Sequence, residues 1–72
     1  MSTDINGINT TVNPTSTGWV NQANGVVLSR HRVKRSAVAT GRQMAKRHGA
    51  QHTVHRKDGS VIQTRTYSAS PV

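Results

Sequence analysis

Residues 33 to 50, VKRSAVATGRQMAKRHGA, carry the pattern of one amphipathic helix that ends at a glycine. Small and apolar residues recur at steps of three and four between Ala37 and Ala45, and cationic residues recur on another side. Gly49 suits the left-handed position that commonly ends a helix. The spacing predicts a helix over 33–48 whose narrow stripe of small residues allows a close approach to a sheet.

Strand signals flank this helix on both sides. The four predicted strands begin at Gly18, Val26, Gln51 and Val61. Asn24-Gly25 and Asp58-Gly59 are two-residue turn signals, because these residues tolerate the positive φ angles of tight hairpins. The order β-β-α-β-β predicts a small domain of the α+β class, an antiparallel sheet with one helix packed on one face.

Composition divides the chain into three parts. Residues 1–16 are polar and lack a sustained period, which predicts a flexible N-terminal tail. Residues 17–68 form the single small basic domain, and 69–72 form a C-terminal tail. The predicted core residues are Trp19, Val26, Leu28, Val38, Met44, Val54, Val61 and Tyr67. A core this small is marginal for one chain and leaves room for a homodimer.

Positive charge is concentrated in the middle of the chain. Nine of the ten Lys and Arg residues fall within 30–57, and the formal net charge is +8. Asp4 and Asp58 are the only acidic residues, so balanced surface pairing is impossible. Such a field attracts polyanions, with nucleic acid first among them.

The predicted partner is nucleic acid, with DNA favoured over RNA, held mainly by phosphate contacts with weak sequence selectivity. The predicted nucleic-acid-binding residues are Arg30, Arg32, Lys34, Arg35, Arg42, Lys46, Arg47, Arg56, Lys57 and Arg65. On the fourth strand, Gln63 and Arg65 are expected to share one face. The alternative partner is an acidic protein, as for a phage factor that docks on a host protein. No membrane partner is expected, because large apolar anchors opposite the basic face are missing.

Catalysis and metal binding find little support. General acid–base or two-metal chemistry needs clustered carboxylates, and only two acidic residues are present. Four histidines occur without any cysteine, and their spacing does not match a ligand set on one element. We therefore expect no enzyme activity, no cofactor and no metal. The N-terminus lacks the pattern of a signal peptide, so a cytoplasmic location is expected, nucleoid-associated if the partner is DNA.

Several residues of the domain resemble a known family pattern. They are Gly18-Trp19-Val20, Gly25, Ala37, Ala45-Lys46, Gly49-Ala50, His55-x-Lys57-Asp58-Gly59-x-Val61 and Tyr67. Through them the chain, over about residues 17–71, resembles the small bacterial and phage domains of domain-of-unknown-function family twenty-one eighty-eight (DUF2188). The resemblance implies a compact β-β-α-β-β domain and supplies no function.

The chain departs from that family pattern at two places. Members usually follow the tyrosine with Gly and end in Asp-Pro, where this chain has Ser68 and Ser70-Pro71. Members commonly carry acidic residues in the helix, and this helix has none. The second departure agrees with the charge pattern and favours a polyanion-binding role specific to this chain.

Overall fold

The computed structural model describes residues 6–67, which form five strands and one helix. The elements are β1 (Gly7–Val12), β2 (Trp19–Ala23), β3 (Val26–His31), α1 (Lys34–His48), β4 (Gln51–His55) and β5 (Val61–Thr66). The predicted α+β class with one helix is confirmed. Residues 1–5 of the predicted N-terminal tail and the predicted C-terminal tail at 69–72 lie outside the described residues. No helix in the described part of the chain is long and apolar enough to cross a membrane.

All five strands form one mixed sheet in the spatial order β3-β2-β1-β4-β5. β1 pairs antiparallel with β2 and parallel with β4, whereas the hairpins β2–β3 and β4–β5 are antiparallel. The prediction of four strands, all antiparallel, is therefore wrong at the centre of the sheet. The parallel pair arises because α1 is a crossover connection, which returns the chain so that β4 runs in the direction of β1.

β1 lies inside the segment 1–16 that was predicted to be a flexible tail, and that prediction is wrong for residues 7–12. Ile8 and Thr10 are completely buried. Ile8, Thr10 and Val12 alternate with residues of the opposite sheet face, and β-branched side chains of this kind favour a strand. The sequence did not show this alternation of buried and outward residues, because Thr10 is polar. Its hydroxyl is hydrogen-bonded in the interior instead of facing solvent.

Both predicted hairpin turns are confirmed. Asn24 and Gly25 have φ angles of 54° and 77°, the pair of positive values that a two-residue turn of this hand needs. In the second hairpin Gly59 has φ 92°, and the Asp58 carboxylate accepts hydrogen bonds from the backbone N–H and the hydroxyl of Ser60. Each turn fixes the register of its two strands, so the two ends of the sheet are locally determined.

The predicted helix is confirmed, including its end. Gly49 adopts φ 62° and ψ 39°, and basic residues in the last turn suit the negative end of the helix dipole. The beginning is less favourable: Val33 provides no side-chain cap, and the first turn carries Lys34 and Arg35 without any acidic residue. Positive side chains therefore add to the positive end of the helix dipole.

The core lies between α1 and the middle of the sheet. Its buried hydrophobic residues are Ile8, Trp19, Ala23, Ala37, Ala45, Ala50 and Val54, and Val38, Met44 and Tyr67 are half-buried. Val20 is also buried, on the sheet face away from α1. Of the predicted core, Trp19 and Val54 are confirmed, whereas Val26, Leu28 and Val61 are 58%, 39% and 52% exposed. These three lie on β3 and β5, the edge strands, where one side has no neighbouring strand to cover it.

Candidate nucleic-acid interface

β5 extends beyond the helix and leaves a groove between the two elements. α1 packs over β1, β2, β3 and β4, whereas all six residues of β5 are exposed. The space between them has a volume of about 280 Å³. Its lining residues, which define the α1–β5 groove, are Val38, Arg42, His52, Val54, Gln63, Arg65 and Tyr67.

Two arginines line this groove from different elements. Arg42 comes from the middle of α1 and Arg65 from β5, and both are exposed. In the β4–β5 register, Arg65 is opposite His52 and Gln63 is opposite Val54. Since directly opposite residues point to the same sheet face, Gln63 and Arg65 both face the helix side. Their predicted shared face is confirmed.

The helix adds further positive charge beside the groove. The Lys46 Nζ lies 5.8 Å from the centroid of the Tyr67 ring, within the range of a cation–π contact. Arg35, Arg42 and Lys46 are spaced by seven and four residues, which places them along one side of α1, and all three are exposed. Of these three, Arg42 lines the groove, and Arg35 and Lys46 extend the cationic side of α1 beyond the groove lining.

A second basic site lies at the end of β3. A cleft of about 480 Å³ is lined by Asn13, Thr15, Ser16, Thr17, Arg30, His31 and Arg32, and these residues define the β3-end cleft. Arg30 is opposite Val20, so its side chain points to the sheet face away from α1. Hydroxyl groups accompany the two arginines, and together they form a second set of hydrogen-bond donors for an anion.

The other cations lie on separate elements. The Lys34 Nζ lies 5.4 Å from the centroid of the Trp19 ring at the start of α1. Arg47 is exposed near the end of α1, and Arg56 and Lys57 belong to the turn between β4 and β5. Of the ten residues predicted to bind nucleic acid, the structure thus brings Arg42 together with Arg65, and Arg30 together with Arg32.

The single acidic side chain among residues 6–67 is Asp58. Its carboxylate accepts two hydrogen bonds from Ser60, which hold the pKa of Asp58 below its usual value. Asp58 is absent from the lining of both basic sites. The α1–β5 groove therefore has two arginines and no acidic residue among its lining residues.

A buried chain of hydrogen bonds runs beneath α1 across four strands. His52 Nε2 lies 2.7 Å from Thr10 Oγ1, and that hydroxyl donates to Asn21 Oδ1 at 2.5 Å. The Asn21 amide donates to Ser29 Oγ at 3.1 Å, and Ser29 Oγ lies 2.9 Å from His31 Nε2. One end of the chain, His52, lines the α1–β5 groove, and the other end, His31, lines the β3-end cleft.

Gly41 is the position where α1 approaches this network. A Cβ at Gly41 would lie 2.5 Å from Asn21 Oδ1, 2.7 Å from His52 Nε2 and 2.8 Å from Thr10 Oγ1. The Asn21 amide also donates to the Ala37 carbonyl of the helix at 2.9 Å. The predicted close approach of the small-residue stripe to the sheet is confirmed, and it leaves no space for a side chain at Gly41.

His52 is the group of the groove whose charge state is most affected by its surroundings. It is only 4% exposed, and burial is the main cause that lowers its pKa from the ordinary 6.5. The nearby Arg42 guanidinium lowers the pKa of His52 further. The surroundings of His52 therefore favour its neutral form.

The network was missed from the sequence, although one signal for it is present. Thr10, Asn21 and His52 are far apart in the chain, and threonine and asparagine are usually exposed, whereas histidine is intermediate. A glycine in the interior of a helix, however, commonly marks a close approach of another element. Among residues 6–67, no three His, Asp or Glu side chains are grouped as a metal site.

Comparison with known proteins gives one match. The family model described as "Uncharacterized protein conserved in bacteria (DUF2188)" matches residues 10–67. No curated protein and no solved structure matches the chain significantly. The matched segment begins inside β1, seven positions before the residue at which the resemblance was placed from the sequence, and it includes all of the α1–β5 groove. The chain belongs to the bacterial family DUF2188.

Proposed function

We propose that this protein is a small non-enzymatic nucleic-acid-binding protein that holds duplex DNA mainly through backbone phosphates. The observation that carries the proposal is the α1–β5 groove, where Arg42 and Arg65 line one space from two elements. Two guanidinium groups without an acidic partner in the groove wall favour an anionic ligand. Phosphate contacts carry no base information, so weak sequence selectivity follows.

Strand directions support a larger contact surface than the groove alone. β3 and β4 both run in the direction of β1, so their carboxyl ends lie at the same end of the sheet. Arg32 and Lys34 follow β3 there, and Arg56 and Lys57 follow β4. A duplex that contacts the groove and this end would meet several cations at once, and each neutralised phosphate steepens the salt dependence of binding.

The test is a fluorescence-anisotropy titration of a labelled DNA duplex over a salt series. RNA duplex and heparin serve as comparators. We expect the logarithm of the association constant to fall with the logarithm of salt concentration with a slope of roughly −4 to −6, as for five to seven phosphate contacts. The variant Arg42→Glu/Arg65→Glu should bind duplex at least about tenfold more weakly, with a slope less steep by about 2.

The charge-matched comparison is Arg47→Glu/Lys57→Glu, which changes the net charge equally at exposed positions outside the groove. Because Lys57 lies at the sheet end proposed to contact the duplex, we expect this variant to bind more weakly than the wild type but more tightly than the groove variant. Circular dichroism should show that both variants keep the native helix signal. An equal loss of binding in the two variants, together with no preference of the wild type for duplex over heparin, would contradict the proposal. An acidic protein would then be the favoured partner.

A further inference from the structure

The hydrogen-bond network fixes which nitrogen of His52 carries a proton. The Ala37 carbonyl can only accept, so the Asn21 atom that contacts it must be the amide Nδ2. Asn21 Oδ1 is then the acceptor for the single proton of the Thr10 hydroxyl. Thr10 Oγ1 has no proton left for His52, so the contact of 2.7 Å requires a proton on His52 Nε2.

When His52 gains or loses a proton, the change therefore takes place at the other ring nitrogen, Nδ1. In neutral His52 it is a bare acceptor, because the proton is held at Nε2. No hydrogen bond within residues 6–67 involves Nδ1, and every fully buried side-chain nitrogen or oxygen described there has a partner. Nδ1 is therefore open to the α1–β5 groove, the space that His52 lines.

The groups facing His52 make protonation of Nδ1 costly in the free protein. α1 contributes the Arg42 guanidinium, β5 contributes Arg65 directly opposite His52, and Tyr67 lines the same groove. On the remaining side, β1 contributes Thr10, which does not titrate. An anion placed between the two arginines would neutralise the local positive charge and accept a hydrogen bond from a protonated Nδ1.

We propose that the α1–β5 groove binds a single phosphate group between Arg42 and Arg65, and that His52 takes up a proton at Nδ1 when the phosphate enters. The proposal rests on the function proposed above and names the regulation of that site: binding to the phosphate backbone strengthens as the pH falls. A groove of about 280 Å³ has room for one phosphate group and water. The same chemistry is offered by a backbone phosphodiester and by free phosphate.

The direct measurement is the titration of His52 by NMR of the ring resonances. Four samples at equal ionic strength are compared: the free protein in chloride, with saturating short DNA duplex, with inorganic phosphate, and with acetate. We expect the duplex to raise the midpoint of His52 clearly, and acetate to raise it less. In Arg65→Gln the duplex should no longer shift the midpoint.

If phosphate binding and protonation of His52 are coupled, the affinity for duplex should also depend on pH. We expect the affinity for duplex to rise about three- to tenfold from pH 7.5 to 5.5, which is below the limit for uptake of one proton, about hundredfold over two pH units. His52→Gln keeps an N–H for Thr10 and removes the titrating Nδ1, so its affinity should match the wild type at pH 7.5 and rise less on acidification. His48→Gln removes an exposed histidine outside the groove and is the matched control.

The outcomes separate this inference from the function proposed above. Duplex that binds through Arg42 and Arg65 without shifting the His52 midpoint would overturn the proton uptake and leave nucleic-acid binding in place. If duplex fails to bind but inorganic phosphate shifts the midpoint, nucleic-acid binding is contradicted and the phosphate site is supported. A midpoint unchanged by duplex and by phosphate alike would overturn the phosphate site.

Discussion

The two sides of α1 meet the sheet in opposite ways. Over β1 and β2, Ala37, Gly41 and Ala45 are buried, and the polar groups beneath them are hydrogen-bonded to one another. Toward β5, Arg42 and Arg65 line an open groove without an acidic residue in the lining. On the closed side of the helix the buried polar groups are neutral and hydrogen-bonded. On the open side the groove is cationic and its arginines have no acidic residue in the lining to balance their charge.

The closed side is the part of the protein that gains stability from packing and hydrogen bonds, and the open side is the part that we propose binds an anion. Buried polar groups are costly unless each has a partner, so the network under Gly41 holds the helix in one position. The groove instead holds two exposed arginines and has no acidic residue among its lining residues. Anion binding at this groove is our proposal, and the following substitutions test the contrast between the two sides of α1.

Thr10→Val should have the largest effect on stability. Valine keeps the shape but removes the hydroxyl, which leaves Asn21 Oδ1 without a donor and the His52 Nε2–H without an acceptor. Each orphaned buried group costs about 1–3 kcal/mol, so we expect the free energy of unfolding to fall by about 2–4 kcal/mol. Urea denaturation followed by circular dichroism measures this loss.

Thr11→Val is the matched control for that substitution. Thr11 belongs to the same strand but points to the sheet face away from α1, and it is half-buried. The same loss of a hydroxyl should there change stability by at most about 0.5 kcal/mol. Equal effects at the two positions would show that the network does not stabilise the closed side.

Gly41→Ala should have the second largest effect, and its sign separates local from tertiary forces. Helix propensity alone predicts a gain of about 1 kcal/mol for alanine in a helix interior. The Cβ would instead meet three polar atoms at 2.5–2.8 Å, so we expect a net loss of about 1–3 kcal/mol, as for an overpacked core. A gain in thermal or urea stability would mean that α1 lies farther from the sheet than described here.

The smallest expected effect is the pH dependence of the free energy of unfolding that comes from His52. His52 belongs to the buried network and also lines the groove. Burial and Arg42 hold the pKa of folded His52 below 6.5, so the unfolded chain binds more protons below that pH. The free energy of unfolding should therefore fall as the pH drops below about 6.5, until the folded form is also protonated. Urea midpoints at pH 7.5 and 5.5 measure the change, and His52→Gln should show a smaller difference than wild type. A pH dependence equal in both proteins would assign it to the net charge.

Local signals made the hairpins and the helix predictable. Asn24-Gly25, Asp58-Gly59 and the glycine that ends the helix act through the φ angles of neighbouring residues, so a single sequence shows them. β1 was missed because its place depends on partners far along the chain. Its buried Thr10 looks like a surface residue until Asn21 and His52 lie beside it.

The groove was predictable only in part. The clustering of cationic residues predicted Arg42 as one of ten binding residues, and strand alternation predicted that Gln63 and Arg65 share a face. The pairing of Arg42 with Arg65 depends on where the helix crosses the sheet, which a small-residue stripe does not specify. The neutral state of His52 depends on burial, and burial is a property of the assembled fold.

The central position of β1 has a consequence for synthesis on the ribosome. β1 is made before the other four described strands, and its parallel partner β4 follows much later: Thr10 and His52 are 42 positions apart. Until β4 emerges from the exit tunnel, β1 can pair with β2 but presents its other edge unpaired. The sheet can be completed only after β4 and β5 have been made, and we expect β4 to pair with β1 rapidly once it emerges, before β1 pairs with another chain.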